Sequence, residues 1–287
     1  MIKKLIKQSS IKITLVVSML FLFISLYGKE IRILAVGNSF SDDALEHYLY
    51  QIGNANGDTI IIGNLAIGGA SLELHYNNCL NNTPAYSYRK IIDGKRTFTD
   101  NVTLEQGLID EEWDYISLQQ VSQNAGLYES FFPYLPHLMN YINENVHNSD
   151  FQFVLHMTWS YATDASHQGF LNYGRDQDAM YTAIIETINK IASEMEIPVI
   201  VPVGTAIQNA RTSKLGDTLT RDGFHLEETY GRYTASCAWY EKLTGKCVVG
   251  NSYKPDSISD LEAFIAQASA HFAVINPNKV TNIITCE

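Results

Sequence analysis

Strand-length apolar runs that alternate with amphipathic segments are the feature that most constrains this chain. Five such runs are separated by stretches with helical periodicity. The apolar runs are residues 31–37, 59–65, 113–119, 151–157 and 197–203. The helical patterns lie near residues 43–56, 128–147, 176–196 and 229–243. Regular alternation of this kind indicates parallel strands with helices covering both faces of a sheet.

One segment breaks the alternation and predicts a hairpin. Residues 86–101 contain Asp93-Gly94 between two β-rich runs. Asp-Gly is a preferred pair for a type I′ turn, because both positions need a positive φ. We therefore expect a three-layer α/β/α fold with a flavodoxin-like parallel five-stranded sheet and a β-hairpin inserted at about residues 86–101. Insertions of this kind often determine binding selectivity.

The first 28 residues have the pattern of a secretory signal peptide. Four lysines and no acidic residue precede or begin the apolar stretch 13–27, which is short for a helix that spans a bilayer. A retained anchor is the alternative. The sequence predicts a secreted or periplasmic protein with one domain over residues 29–287, not stably inserted in a membrane once the signal is removed.

Charge and cysteine content exclude some classes of function. The chain has 31 acidic and 20 basic residues and a formal net charge of −11. An acidic surface repels phosphate backbones, so we expect no nucleic-acid partner. The spacing of the cysteines matches no CxxC metal pattern. Disulfides and free thiols both remain open for Cys79, Cys237, Cys247 and Cys286.

A serine directly follows the first predicted strand, in the segment Gly37-Asn38-Ser39-Phe40-Ser41. Ligands of open α/β sheets bind at the carboxyl ends of strands, and a helix N-terminus there favours developing negative charge. Ser39 is therefore a candidate nucleophile. The alternative is structural, because Ser is a common N-cap and Gly permits a tight turn.

Asp222 and His225 form a DxxH pair late in the chain. A neutral imidazole can accept the proton of a serine hydroxyl, and a carboxylate on the other ring nitrogen fixes the tautomer. Three residues of separation allow both side chains to share one tight turn. A surface Asp beside a hydrogen-bonded His explains the pair equally well, and no third residue at recognisable spacing indicates a metal site.

Paired glycines follow the second predicted strand, within residues 64–71. Gly68 and Gly69 allow the backbone to turn with its N–H groups exposed, and such amides can form an oxyanion hole. A simple turn between a strand and a helix is the alternative.

The order of these three segments resembles the SGNH/GDSL hydrolase superfamily over nearly all of residues 31–243. GNSFS is similar to the family's GDSxS block, with Asn38 in place of Asp. NLAIGGAS resembles the second block and DGFHL the last. The resemblance implies a serine esterase that needs no metal or organic cofactor. It implies a triad of Ser39, Asp222 and His225, with the amides of Ser39 and Gly69 as oxyanion donors.

The third block departs from the family pattern. The family usually has GxND after the third strand, whereas residues 119–124 read QQVSQN. Counting from Asp114 places Gln123 at the position of the donor Asn, and likeness to the QGESN-like block of carbohydrate acetylesterases selects it again. Gln offers the same amide donor on a longer arm. Gln120 and Asn124 are competing assignments, and a purely structural role is a further one.

Several other side chains are weaker candidates for substrate binding. Asn38 and Gln120 lie in the polar segments after the first and third predicted strands. Trp159 and Tyr161 follow the fourth strand, where they could stack on a sugar face. Packing of both aromatic rings under a loop is the alternative. We interpret His156, within a strand, as a buried and hydrogen-bonded histidine. We interpret His75 and His167 as solvated loop residues, with a position in the lining of the pocket as the alternative for each.

The sequence thus predicts a secreted serine esterase that hydrolyses acyl groups, above all O-acetyl groups on carbohydrate. Its partner would be an acylated glycan or a small ester; a short-acyl lipid is the milder alternative. A catalytically inactive glycan-binding module on the same fold is the competing class. A phosphate-binding protein is disfavoured, because GxxxxGK[ST] is absent.

Overall fold

The computed structural model describes residues 28–284, in which seven strands form one sheet. The strands are β1 Glu30–Gly37, β2 Thr59–Ala66, β3 Tyr86–Ile92, β4 Lys95–Val102, β5 Tyr115–Leu118, β6 Gln152–His156 and β7 Val199–Val201. The α-helices of this range are α1 Ser39–Leu45, α2 Leu49–Ala55, α3 Leu72–Leu80, α4 Leu104–Leu108, α5 Tyr134–Asn145, α6 Gln177–Glu194, α7 Val203–Arg211, α8 Tyr230–Thr244 and α9 Asp260–Ile275. Short 3-10 helices cover Ser122–Asn124, Tyr128–Phe131 and Gln168–Tyr173.

The strand order is β4-β3-β2-β1-β5-β6-β7. The five strands from β2 to β7 pair in parallel, in the 2-1-3-4-5 order of flavodoxin-like sheets. Strand β1 lies at the centre, and its consecutive residues Ile33, Leu34, Ala35 and Val36 are all buried. Burial on both faces explains why this strand is a continuous apolar run. The predicted α/β fold with a mostly parallel sheet is confirmed.

The predicted number of strands in the sheet is wrong, because the hairpin extends the sheet. Strand β3 pairs antiparallel with β2, and β4 pairs antiparallel with β3. Without this pairing, the outer N–H and C=O groups of β2 would lack partners. Asp93 and Gly94 have φ values of 51° and 71°, as a type I′ turn requires.

The tip of the hairpin is distant from the carboxyl edge of the parallel strands. Ile62 pairs with Ile91, whereas Ala66, at the end of β2, pairs with Ser87 near the start of β3. The turn at Asp93 therefore lies beyond the amino-terminal half of β2. The hairpin cannot use its tip to select a ligand at the edge where Ser39 lies.

Two predicted helices have different bounds in the structure. The pattern at residues 43–56 corresponds to α1 and α2, which are separate helices. The pattern at residues 128–147 includes a 3-10 turn before Pro133, and α5 begins at Tyr134. Pro133 at the N-cap of α5 explains the late start, because proline is unfavourable in a helix interior.

The predicted signal peptide lies almost entirely in residues 1–27, outside the described residues. In the described part of the chain, no helix combines the length and apolar character needed to cross a bilayer. Cys79, Cys237 and Cys247 are free thiols there, so no disulfide joins any two of them. Cys286 lies outside the described residues.

A buried polar network joins the hairpin to α1. Glu46, at the C-cap of α1, accepts hydrogen bonds from Arg89 of β3 (3.2 Å), Arg96 of β4 (3.0 Å) and Asn64 of β2 (2.6 Å). Asn64 also accepts a hydrogen bond from Ser41 at 2.9 Å. The side chain of Glu46 has 0% exposure, so its charge depends on these partners rather than on water.

Replacing Glu46 with Ala should destabilise the protein by about 1–3 kcal/mol, because it leaves the buried side-chain amide of Asn64 without its acceptor. Arg89 keeps Asp42 as a partner at 2.9 Å. Chemical denaturation followed by circular dichroism measures the change. Glu186→Ala, on the exposed face of α6, is the matched control and should change stability by less than about 0.5 kcal/mol. Equal effects of the two substitutions would contradict this role of Glu46.

Candidate active site

The turn between β1 and α1 presents Ser39 at the first position of the helix. Asn38 caps α1: its Oδ1 accepts a hydrogen bond from the Phe40 N–H at 2.9 Å, and its Nδ2 donates to the Ala70 carbonyl at 3.0 Å. A Cβ at Gly37 would lie 2.4 Å from the Ser41 hydroxyl, so only glycine fits there. Asn38 is buried and holds the turn through these two hydrogen bonds, although it also contributes to the lining of the cavity beside Ser39.

Ser39, His225 and Asp222 lie in one hydrogen-bonded row. The Ser39 Oγ is 2.9 Å from Nε2 of His225, although 186 residues separate them in the chain. Nδ1 of the same ring is 2.6 Å from Oδ2 of Asp222. Since a carboxylate only accepts, Nδ1 carries the proton and Nε2 is left to accept one from the hydroxyl.

The carboxylate of Asp222 is held by three donors. Its partial burial acts to raise its pKa, but hydrogen bonds from the His225 ring and from the backbone N–H groups of His225 and Phe224 outweigh this effect. The net pKa of Asp222 is lower than its ordinary value. Asp222 therefore stays ionised in mildly acidic solution and can keep the imidazole oriented.

A buried carboxylate, that of Asp43, joins the segment that carries Ser39 to the segment that carries His225. Asp43 of α1 accepts hydrogen bonds from the Leu226 N–H at 2.9 Å, from Arg221 at 3.1 Å and from Arg232 at 2.8 Å. Its side chain is 1% exposed. Asp43 thus anchors the residues on either side of the Asp222–His225 turn to the helix that carries the serine. This contact was not predicted from the sequence. The acidic Asp43 beside the first motif and the basic Arg221 beside the last one are the residues that could have indicated an ion pair between the two segments.

A cavity of about 170 Å³ opens beside the serine. Gly69 lines it and has a φ of 67°, which favours glycine. Within residues 28–284, neither the Ser39 N–H nor the Gly69 N–H has a protein acceptor. Both are therefore available to an oxyanion. The cavity is lined by Asn38, Ser39, Phe40, Gly69, Val121, Ser122, Gln123, His167, Phe224 and His225, a set with no carboxylate or thiol to hold a metal.

The three glutamines after β5 have different environments. Gln119 donates to Asn38 at 2.8 Å and accepts a hydrogen bond from His156 at 2.8 Å. Gln120 is buried and contacts the Leu72 N–H and the Ser130 carbonyl, so it does not reach the cavity as a substrate ligand. Gln123 alone of the three lines the cavity, which supports the assignment drawn from the sequence.

The predicted sugar-stacking role of Trp159 and Tyr161 is incompatible with their burial, since both have 0% exposure. Trp159 stacks on Phe40 with ring centroids 4.1 Å apart, and its Nε1–H donates to the Phe224 carbonyl at 2.7 Å. The Tyr161 hydroxyl contacts Ser122 at 2.7 Å, and burial raises its pKa to about 12. Both rings support the site from beneath.

Two histidines complete the surroundings. His156 is fully buried behind the serine turn, and burial lowers its pKa to about 3; it holds Gln119, which in turn holds Asn38. His167 lines the cavity, and its Nδ1 accepts a hydrogen bond from the Gly169 N–H at 3.0 Å. That bond leaves the ring proton on Nε2, where it can donate to a ligand. His75, by contrast, is buried against Tyr86.

Trp159→Phe should lower kcat about twofold to tenfold with little change in KM. The substitution keeps the stack on Phe40 but removes the bond that fixes the Phe224 carbonyl beside His225, worth about 0.5–1.5 kcal/mol. Trp113→Phe is the control, because it removes a comparable bond to the Gly107 carbonyl (2.9 Å) outside the cavity lining. Steady-state kinetics distinguish the two; equal losses of kcat would indicate a general loss of stability.

Comparison with known proteins shows similarity to one family over most of the chain. The family described as "Domain of unknown function (DUF4886)" matches residues 32–273. The crystal structure of a DUF4886 family protein from Bacteroides uniformis has 50% identity and a TM-score of 0.87, over 89% of this chain and 98% of that one. No curated protein matches.

Two other solved structures are distant neighbours. A catalytic mutant of Axe2, an acetylxylan esterase from Geobacillus stearothermophilus, has 12% identity and a TM-score of 0.47, over 76% of this chain and 95% of that one. TesA has 12% identity and a TM-score of 0.45, over 75% and 98%. This chain belongs to the DUF4886 family, because the family matches most of its length and a solved member of the family is 50% identical to it.

Proposed function

We propose that this chain is a secreted serine esterase that removes short acyl groups, above all O-acetyl groups, from carbohydrate. One observation carries the proposal: the His225 ring lies between Ser39, 2.9 Å from Nε2, and Asp222, 2.6 Å from Nδ1. A row of hydroxyl, imidazole and carboxylate in this order can activate an oxygen nucleophile.

The reaction proceeds through an acyl-enzyme. His225 takes the hydroxyl proton as the Ser39 oxygen attacks the ester carbonyl carbon, which gives a tetrahedral intermediate. His225 then returns this proton to the leaving alcohol. In the second half, water attacks the acyl carbon while His225 accepts a proton from the water. The bond to the Ser39 oxygen then breaks, the carboxylic acid leaves, and His225 returns the proton to Ser39. Asp222 stays ionised and stabilises the imidazolium.

The N–H groups of Ser39 and Gly69 are suited to hold the oxyanion, since both lack a protein acceptor. The side-chain amide of Gln123 is a third donor in the same cavity. Loss of one such donor typically costs ~2.7–4 kcal/mol of transition-state stabilisation. These donors separate an esterase from an inactive binding module, which has no need of free amides beside an activated serine.

The size of the cavity supports a short acyl group. At about 170 Å³, it is smaller than the ~300–1,000 Å³ of pockets that enclose a drug-sized ligand. An acetyl group fits such a space, whereas the glycan that bears it must remain largely outside. Export, suggested by residues 1–28, would place the enzyme where acetylated polysaccharides are found.

Ser39 should be the residue modified by a fluorophosphonate probe. Peptide mapping should locate the label on Ser39, and Ser39→Ala should lower the turnover of p-nitrophenyl acetate by at least about 10³-fold. Ser41→Ala is the control, because the buried Ser41 hydroxyl faces Asn64 and the Asn38 carbonyl. Labelling of Ser41 instead would reject the proposed nucleophile.

The same variants test the substrate. Acetate release from acetylated polysaccharides should depend on Ser39, and kcat/KM for p-nitrophenyl esters should fall as the acyl chain lengthens. Hydrolysis of octanoate esters in preference to acetate would reject the short-acyl proposal. Binding to glycans that is unchanged in Ser39→Ala, without turnover by the native chain, would favour the binding module.

Activity should decline as the solution is acidified below neutrality, with the slope of a single proton. An imidazolium cannot accept the proton of Ser39, and histidines change charge between about pH 5 and 8. The lowered pKa of Asp222 keeps this carboxylate ionised through that range, so it adds no second proton to the acid limb. Log kcat/KM against pH measures the slope; a flat profile from about pH 5 to 8 would exclude His225 as base.

A further inference from the structure

A cluster of three metal-ligating side chains lies between α8 and α9. Glu241 belongs to the last turns of α8, Cys247 to the loop after it, and His271 to α9. One potential ligand atom from each lies within 4.8 Å of the others. Cys247 has an exposed side chain, whereas Glu241 is 5% exposed. This is the one such group within residues 28–284, and its residues are not among those that line the serine cavity.

The distance between Cys247 and His271 fits a tetrahedral ion closely, whereas the distance between Glu241 and His271 is shorter than such an ion requires. Sγ of Cys247 is 3.5 Å from Nδ1 of His271. A tetrahedral Zn²⁺ with Zn–S of about 2.3 Å and Zn–N of about 2.0–2.1 Å places sulfur and nitrogen about 3.6 Å apart. The Glu241 Oε1 is 2.6 Å from the same Nδ1, so this pair would open by about 0.7 Å to admit the ion.

The carboxylate of Glu241 is already oriented towards the cluster. Its other oxygen, Oε2, accepts a hydrogen bond from the Val248 N–H at 2.8 Å. Hydrogen bonds of this kind fix metal-binding carboxylates and raise the affinity of a site. Thiolate, imidazole and carboxylate are together the donors that Zn²⁺ and Co²⁺ accept.

We propose that Glu241, Cys247 and His271 bind one Zn²⁺-like divalent ion, with water as the fourth ligand on the exposed side of Cys247. Binding displaces the Cys247 thiol proton to solvent, and His271 takes the neutral tautomer with its proton on Nε2, so that Nδ1 can coordinate; no redox change is involved. The ion fastens the loop after α8 to α9. Its role is structural and does not depend on the proposed esterase activity.

Cobalt binding to the full, chelator-treated protein tests the site. One equivalent of Co²⁺ should give the near-ultraviolet thiolate-to-cobalt band and the visible bands of a tetrahedral ion, and Zn²⁺ should abolish both. Zn²⁺ alone should raise the melting temperature by a few degrees. Cys247→Ser and His271→Ala should each lose the thiolate band or weaken Co²⁺ binding at least tenfold.

Matched controls separate this site from binding elsewhere. Cys79→Ser removes a thiol in α3, and His137→Ala removes an exposed imidazole in α5; both should retain the full spectrum. Three results would overturn the proposal: no thiolate band at one equivalent, a band that survives Cys247→Ser, or mass spectrometry that finds Cys247 in a disulfide. In the first case the cluster is only an ion pair between His271 and Glu241 beside a thiol.

Discussion

The alignment of the candidate site depends on the buried carboxylate of Asp43. Ser39 and His225 are 186 residues apart, and one hydrogen bond between half-buried side chains would not by itself hold two such segments together. Asp43 supplies the missing restraint, since it binds the Leu226 N–H and the guanidinium groups of Arg221 and Arg232. A buried charge is costly without partners, so the segment from residue 221 to 232 must stay close to α1.

Helix α1 is therefore the element on which several restraints meet. Asp43 anchors it to the histidine segment, and Glu46 anchors it to the hairpin through Arg89 and Arg96. The stack of Phe40 on Trp159 supports it from the side of β6. The hairpin thus contributes to the site through Arg89 of β3 and Arg96 of β4. Its role in the described structure is to support the helix that carries the serine.

The sequence was sufficient where local pattern decides the outcome. The central run at residues 31–37 matches β1 to within one residue, because burial on both faces leaves a continuous apolar run. The hairpin turn was likewise predictable, since Asp93-Gly94 fits one type of turn. Helices α3, α4, α7 and α9 were not predicted, although Ser259 and Glu262 form a capping box at the start of α9. The sequence of α9 is mostly apolar and lacks the alternation of apolar and polar faces that is typical of an amphipathic helix.

Side-chain direction was the part that local pattern could not supply. Trp159 and Tyr161 were placed at the correct edge of the sheet, yet their rings turn inward, because Phe40 and Ser122 come from distant segments that only the fold brings near. The same limit applies to the glutamines. The family block, counted from Asp114, predicted that Gln123 is an oxyanion donor. Nothing in the sequence indicated that Gln119 would connect Asn38 to the buried His156.

The contacts of Asp43, Glu46 and Trp159 lie beneath the candidate site, whereas the opposite side of the site is open to solvent. The side chain of Asp222 is 39% exposed, and three hydrogen bonds keep it ionised and aligned against the opposing effect of its partial burial. Burial of a whole substrate is therefore not needed to orient His225. Under the proposed function, one small acyl group would enter the cavity while the rest of a large glycan stayed in solvent.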